Sequence, residues 1–328
     1  MNGEFTKGEM QMNEITKCPE CGTELPANVP PGSCPKCLLK LGLDGQPEQE
    51  TGGMVRKLPV PGQNFGHFSI VRTLGRGGMG VVYEAQDLDS GRQVALKVLS
   101  QALESPKARK RFLHEGQLAA SINHPNCVYI FGTEEIDGIS VISMELASSG
   151  TLQDMVKDHG PMPAPKAVDA ILQIIAGLEA AASVDVLHRD VKPANCFVSA
   201  DGTIKVGDFG LSISASTRNA SDLITRGSFV GTPAFCAPEQ LRGEESSVRS
   251  DIYAVGVTLY YLLTGRVPFE ARNAVQLIAM VLEKRAESPS NLRRDIPKGL
   301  SKVVLHCMEK SPGERFSGYE EEIGRAHV

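Results

Sequence analysis

Two hydrophobic patterns follow each other along the chain. From Phe65 onward, the runs HFSIVRTL, GVVYEAQD and QVALKVL are short, rich in β-branched residues and separated by glycine-rich or polar turns, which predicts antiparallel strands. From about residue 150, apolar positions recur with helical spacing, and the long segments are 164–184, 250–264 and 273–285. Strands followed by helices predict an α+β fold with a small β-rich lobe and a large helical lobe.

The first 64 residues lack both patterns. Residues 1–16 are polar and aperiodic, and we expect them to be disordered. Residues 17–41 hold a cysteine module, and residues 42–64 mix glycine, proline and charge, which is typical of a linker. At the other end, we interpret IGRAHV, residues 323–328, as a truncated or partly artefactual tail.

Composition narrows the classes of function. The 328 residues are 41% hydrophobic, as in a globular protein, and the formal net charge is −5. Without a long Lys/Arg run, a nucleic-acid partner has no electrostatic support. No apolar run reaches the roughly 18–20 residues of a membrane span, and the N-terminus carries no signal-peptide core. We therefore expect a cytoplasmic location for this chain. If the chain is part of a longer protein, that protein could still have a membrane span further downstream.

Four of the eight cysteines form two C-x2-C pairs separated by twelve residues, namely Cys18, Cys21, Cys34 and Cys37. Two such pairs present four thiolates that suit tetrahedral Zn²⁺. Disulfides fit a cytosolic chain poorly, and a redox motif would not need two copies. The segment resembles a zinc ribbon, which implies a structural or partner-docking role because protein ligands fill all four positions. The scattered cysteines, Cys127, Cys196, Cys236 and Cys307, are expected to be small buried hydrophobes.

The stretch LGRGGMGVVYEA contains the spacing G-x-G-x-x-G, which two unrelated folds use to approach phosphates. A dinucleotide-binding fold needs a helix after the third glycine and an acid about 20 residues later. Here the strand formers Val81–Tyr83 follow Gly80, and the later position holds Lys97. The glycines are therefore predicted to lie in a β-hairpin, and the dehydrogenase interpretation is disfavoured.

The motifs that follow resemble those of eukaryotic-like bacterial Ser/Thr protein kinases. VALK, HRDVKPANCF, VGDFG and GTPAFCAPE occur in the order and at the spacing of that family. The resemblance implies a kinase domain over 65–322, with a small lobe at 65–144, a hinge at 145–149 and a large lobe at 150–322. It also implies transfer of the γ-phosphate of ATP, with Mg²⁺ or Mn²⁺, to Ser or Thr hydroxyls of protein substrates. It indicates no oligomeric state.

The resemblance further implies a nucleotide site formed by both lobes. Its implied residues are Gly75, Gly77, Gly78, Gly80, Val82, Ala95, Lys97, Glu115, Met144, Glu145, Ala147 and Phe197. The glycines would form a flap over the triphosphate, and Lys97 would contact the α- and β-phosphates with Glu115 as its partner. Glu104 also lies near and is an alternative partner. Phe197 departs from the smaller aliphatic residue that the family places under the adenine.

For catalysis, the resemblance implies four residues of the HRDVKPANCF and VGDFG motifs. Asp190 would accept or orient the substrate hydroxyl proton, and Lys192 would stabilise the transferred phosphoryl group. Asn195 and Asp208 would bind Mg²⁺. Lys192 together with Thr232 indicates Ser/Thr rather than Tyr specificity. The alternative function is a catalytically silent pseudokinase scaffold, which the filled catalytic positions disfavour.

Scaffold roles are implied for three further residues. Glu239 and Arg315 are expected to form a buried ion pair in the large lobe. Asp251 is expected to accept hydrogen bonds from the backbone of the catalytic loop.

Regulation is implied by the arginine before the catalytic aspartate. Arg189 would pair with phosphate on the loop after Asp208, which offers Ser221, Thr225 and Ser228. We predict autophosphorylation at Thr225 or Ser228. Ala194 stands where some kinases carry a Glu for basic substrates, so an Arg-directed specificity has no support.

Overall fold

In a computed structural model, the protein comprises two compact units, Met1–Val55 and Arg56–Val328. The structure describes residues 58–77, 80–99, 116–147, 149–209 and 233–321, together with the backbone of two short strands of the first unit. Those strands are β1 (Thr16–Lys17) and β2 (Glu24–Leu25), which pair antiparallel.

A six-stranded antiparallel sheet forms the small lobe of the second unit, in the order β3-β4-β5-β6-β8-β7. Its strands are β3 (Asn64–Phe65), β4 (Phe68–Gly77), β5 (Gly80–Asp87), β6 (Gln93–Leu99), β7 (Ile130–Ile136) and β8 (Ile139–Glu145). β6 is buried from 94 to 99, so the side chains on both of its faces are covered by other parts of the chain. This confirms the antiparallel sheet that the sequence predicts.

The large lobe is helical with one small hairpin. Its helices are α1 (Leu152–His159), α2 (Ala164–Ala182), α3 (Pro238–Arg242), α4 (Val248–Thr264), α5 (Ala274–Glu283), α6 (Pro289–Leu292) and α7 (Lys298–Cys307). The hairpin pairs β9 (Cys196–Val198) with β10 (Ile204–Val206). The three long helices predicted from periodicity are present as α2, α4 and α5, with boundaries that differ by a few residues.

The central helix of the large lobe is α4, which is buried along most of its length and packs against α2 and α7. Ser247 caps its first turn by accepting a hydrogen bond from the Arg249 amide, at 3.2 Å. Gly265 ends the helix in the left-handed conformation, with φ 71°. A helix apolar on nearly every side must be surrounded by other elements, and α4 therefore organises the core.

Residues 58–64, whose composition is typical of a linker, lie on the small lobe. Leu58 packs against its core, and the buried Tyr83 hydroxyl donates to the Pro59 carbonyl at 2.8 Å. Gly62 N donates to Ile70 O at 2.8 Å. The hydroxyl of a buried tyrosine needs an acceptor, and this segment supplies it. Among the helices in the described ranges, none is both long and apolar enough to cross a bilayer.

Candidate active site

A cavity of about 270 Å³ lies between the β4–β5 hairpin, the segment after β8 and strand β9. Eight of the residues implied for nucleotide or metal binding line it, namely Gly75, Val82, Ala95, Met144, Glu145, Ala147, Phe197 and Asp208. Four other lining residues were not predicted for the nucleotide site, namely Leu74, Val128, Leu146 and Ala194. Leu74, Leu146 and Ala194 are chain neighbours of motif residues, whereas Val128 is brought there by the fold, because its amide donates to Val206 O.

The glycine stretch is the tip of the β4–β5 hairpin, as predicted. Gly75 pairs with Val82, and Gly77 pairs with Gly80 across the two strands. A Cβ atom on Gly80 would lie 2.1 Å from Val98 O, whereas the equivalent positions at Gly75 and Gly77 face open space. Packing therefore requires glycine at position 80, whereas a side chain at 75 or 77 would meet no neighbouring atom.

Lys97 lies on β6, opposite Val82 of the hairpin. Its ammonium group is buried and donates to Asp208 Oδ1 at 3.0 Å. Burial raises the pKa of Asp208, but Lys97 and the more distant His188 and Lys192 outweigh burial and hold this pKa below its ordinary value. Asp208 is therefore ionised at neutral pH.

The loop after His188 brings two polar side chains, those of Lys192 and Asn195, to the carboxylate of Asp190. Lys192 Nζ donates to Asp190 Oδ2 at 2.7 Å. The Asn195 amide nitrogen donates to Asp190 O at 2.8 Å and to Asp190 Oδ2 at 3.1 Å. These bonds fix the direction of the Asp190 side chain. Asn195 O in turn accepts from Gly207 N at 3.0 Å, which holds this loop beside Asp208.

Asp251 of α4 accepts hydrogen bonds from the backbone of this loop, as expected. Its buried carboxylate accepts from the His188 amide at 2.9 Å and from the Arg189 amide at 2.7 Å. Arg189 has a φ of 67°, an unfavourable conformation that these bonds hold in place. His188 Nε2 donates to Gly207 O at 2.9 Å, so α4, the loop and the segment before Asp208 are connected.

Comparison with known proteins agrees with this geometry. The protein kinase domain family matches residues 68–324. The chain is a member of the protein kinase family. Serine/threonine-protein kinase PknD of Mycobacterium tuberculosis is 39% identical over 261 residues, which are 79% of this chain and 39% of PknD. Serine/threonine-protein kinase PrkC of Bacillus subtilis is 34% identical over 257 residues, which are 78% of this chain and 39% of PrkC.

Solved kinase structures share the fold. The crystal structure of the Mycobacterium tuberculosis PknI kinase domain matches with a TM-score of 0.66 and 25% identity, covering 83% of this chain and 99% of that one. The chain spans about two fifths of the length of the two full-length relatives above. The sheet and the helical lobe are thus the two lobes of a protein kinase.

The expected ion pair of the kinase's large lobe is also present. Arg315 Nη1 and Nη2 donate to the two Glu239 carboxylate oxygens at 2.7 and 2.8 Å, and both side chains are buried. Burial raises the pKa of Glu239, but the hydrogen bonds from Arg315 and Ser250 outweigh it and leave this pKa below its ordinary value. The pair joins the α3 segment to the chain after α7.

The four cysteines within the described residues are buried or half-buried. Cys127, Cys196 and Cys307 are buried, as expected, and Cys236 is half-buried. Burial, followed by the charge of Asp190, raises the pKa of Cys236 to about 12, so its thiol stays protonated at neutral pH.

Several predicted positions lie outside the described residues. These are Gly78, Glu115, Ser221, Thr225, Ser228, Thr232 and the four module cysteines Cys18, Cys21, Cys34 and Cys37. The Lys97–Glu115 pair, the phosphorylation sites and the zinc site therefore stay predictions.

Proposed function

We propose that this chain is an ATP- and Mg²⁺- or Mn²⁺-dependent serine/threonine protein kinase that phosphorylates protein substrates. The observation that carries the proposal is the joint placement of Asp190, Lys192 and Asn195 beside the Lys97–Asp208 pair. Phosphoryl transfer requires positioning and charge neutralisation more than covalent chemistry by the protein, and these groups supply both.

Each side chain has a distinct task in this proposal. Asp190, directed by Lys192 and Asn195, receives the hydrogen bond of a substrate hydroxyl and takes its proton. Lys192 offers positive charge to the phosphoryl group in transit, and Lys97 binds the phosphates of ATP. Names of relatives that include "serine/threonine-protein kinase" support the choice of hydroxyl.

Asn195 and Asp208 are the residues that would hold the divalent cation. The Asn195 amide nitrogen is engaged by Asp190, which leaves the amide oxygen as the group available to a metal. One amide oxygen and one ionised carboxylate fit the oxygen preference of Mg²⁺. When bound, the ion neutralises phosphate charge.

The Asp190→Asn variant tests the function. Loss of the carboxylate removes the proton acceptor, so transfer of labelled phosphate from Mg·ATP to a generic protein substrate should fall about a hundredfold or more. Asp185→Asn is the matched control, because Asp185 is exposed and lies outside the site. Wild-type protein that binds nucleotide but transfers no phosphate would instead establish the alternative, a pseudokinase scaffold.

We also propose autophosphorylation at Thr225 or Ser228. Arg189 supports this idea, because its Nε is buried without a hydrogen-bond partner among the described residues. A phosphate on the 210–232 segment would supply one. Mass spectrometry of the same two preparations should find phosphate at Thr225 or Ser228 in wild type and not in Asp190→Asn. An unmodified loop in active wild type would contradict the proposal.

For the first unit, we propose a structural zinc site at Cys18, Cys21, Cys34 and Cys37 that contributes to a protein-docking module. The β1–β2 pairing supports it, because the two strands flank the first C-x2-C pair. Metal analysis should find about one zinc per chain, lost when Cys18 and Cys21 become Ser. Cys236→Ser is the control that keeps its zinc. Protein without metal would reject the assignment.

A further inference from the structure

The side chain of Gln240, on the short helix α3, bonds to two separate segments of the large lobe. Its amide nitrogen donates to Arg189 O at 2.9 Å, and its amide oxygen accepts from Ala237 N at 2.9 Å. Because the nitrogen faces a carbonyl and the oxygen faces an N–H group, these partners determine which way the amide points. Gln240 follows directly after the GTPAFCAPE motif, which does not include it.

The carbonyl that Gln240 binds belongs to the peptide group joining Arg189 to Asp190. Asp190 N, at the other end of this group, donates to His188 Nδ1 at 3.2 Å. Gln240 and His188 thus hold the two polar ends of one peptide, directly before the Asp190 side chain. Arg189 has the unfavourable φ of 67°, and such a conformation persists where the surrounding contacts over-determine it. Without Gln240, this peptide can rotate toward a relaxed conformation.

The helix that carries Gln240 is itself firmly held. Glu239, the residue before it, accepts from Arg315 Nη1 at 2.7 Å and from Ser250 Oγ at 2.7 Å. Ser250 lies in the first turn of α4, next to Asp251, which accepts from two backbone amides of the catalytic loop. The catalytic loop is therefore fixed by α4 at its amides and by α3 at a carbonyl, and the two helices are joined to each other.

Resting on the kinase function proposed above, we propose that Gln240 is a positioning residue for phosphoryl transfer. It acts through Arg189 O, which fixes the peptide before Asp190 and so the direction in which the Asp190 carboxylate meets the substrate hydroxyl. Gln240 is not among the described residues that line the cavity between the lobes. Its contribution should therefore appear in kcat and leave the KM for Mg·ATP unchanged.

Steady-state kinetics of the full chain with Gln240→Glu, at about pH 8, tests this inference. A glutamate keeps an oxygen that accepts from Ala237 N, but its ionised carboxylate has no hydrogen to donate to Arg189 O. The kcat for transfer to the generic protein substrate should fall about ten- to hundredfold, with the KM for Mg·ATP within about twofold of wild type. The thermal midpoint should stay within about 2 °C of wild type, because the cap of α3 is retained.

Two further variants complete the test. Gln93→Glu is the matched control, because it adds the same charge at the exposed first residue of β6, and it should behave as wild type. Gln240→Met removes both hydrogen bonds without adding charge. Its kcat should fall about ten- to hundredfold as well, and its thermal midpoint should also fall because the cap of α3 is lost.

Three results would overturn the inference: full kcat in either Gln240 variant, a raised KM for Mg·ATP at unchanged kcat, or a Gln240→Glu protein destabilised as far as Gln240→Met. The last result would show that Gln240 serves the stability of α3 alone. Wild type that transfers no phosphate would overturn the kinase proposal itself, and this inference with it, which is a different result.

Discussion

At the residue scale, Lys310 shows how packing changes the chemistry of one side chain. Its ammonium group donates to Val281 O at 2.7 Å and lies 4.5 Å from the ring centroid of Phe269. Burial, followed by the nearby charge of Arg315, lowers the pKa of Lys310 from 10.5 to about 8, while Glu309 opposes them. The folded kinase thus binds this proton less tightly than the unfolded chain does.

The sign of the resulting pH dependence can be tested. Between about pH 8 and 10.5 the unfolded chain carries more protons at Lys310 than the folded chain, so this residue makes the free energy of unfolding rise with pH. Urea unfolding should be measured for wild type and Lys310→Met across this pH range. The free energy of unfolding of wild type minus that of Lys310→Met should rise with pH, because the subtraction removes the contribution of the groups that titrate in both proteins. A difference that is flat or falls with pH would show that the lysine is not destabilised in the fold.

At the element scale, the β4–β5 hairpin contains one glycine that packing requires and others that have open space around them. Gly80 has φ 153° and is packed against the β6 backbone, whereas a Cβ atom on Gly77 would meet no atom within 4 Å. Among the glycines of this motif within the described residues, Gly80 is the one whose packing on β6 leaves no room for a side chain.

Alanine substitutions at Gly80 and Gly77 should lower the free energy of unfolding by different amounts. Gly80→Ala should lower the free energy of unfolding by about 2 kcal/mol or more, because β6 or the hairpin must move. Gly77→Ala should stay within about 0.5 kcal/mol of wild type, since its side chain enters open space. Thermal unfolding followed by circular dichroism makes the comparison, and equal stability of the two variants would contradict it.

At the scale of the whole molecule, contacts between distant segments hold the site together. Asp251 on α4 binds the catalytic loop, that loop binds the segment before Asp208, and Asp208 binds Lys97 in the small lobe. The buried Glu239–Arg315 pair braces the same helix, because Ser250 at its start also donates to Glu239 at 2.7 Å. The two lobes therefore share one supporting network.

Removing one partner of the buried pair should be costly. Glu239→Ala leaves the Arg315 guanidinium buried without its carboxylate, and the free energy of unfolding should fall by about 3–5 kcal/mol. Glu244→Ala is the matched control, since its contact with Arg242 is exposed and 4.0 Å long, and it should cost less than about 1 kcal/mol. Denaturant unfolding measures both, and a loss at Glu239 no larger than at Glu244 would refute the bracing role.

Many residues of the candidate site can be predicted from the sequence, because the order of the motifs and the residue types within each motif are properties of short segments. Strand formers after Gly80 predict the hairpin, and HRDVKPANCF places Asp190, Lys192 and Asn195 within six residues of one another. Helical periodicity likewise locates α2, α4 and α5. Val128 could not be found this way, because no local pattern marks a residue that reaches the cavity through contact with β10.

The sequence by itself determined the first strands of the small lobe, the three long helices, their order along the chain and the residue types of the candidate site. Tertiary structure decided which groups meet. Lys97 pairs with Asp208 across 111 residues, Phe197 fits against Gly207, and burial lowers the pKa of Lys310. The physical reason is that propensity and periodicity act within a few turns or strands, whereas desolvation, close packing and ion pairing depend on segments that only the folded core brings together.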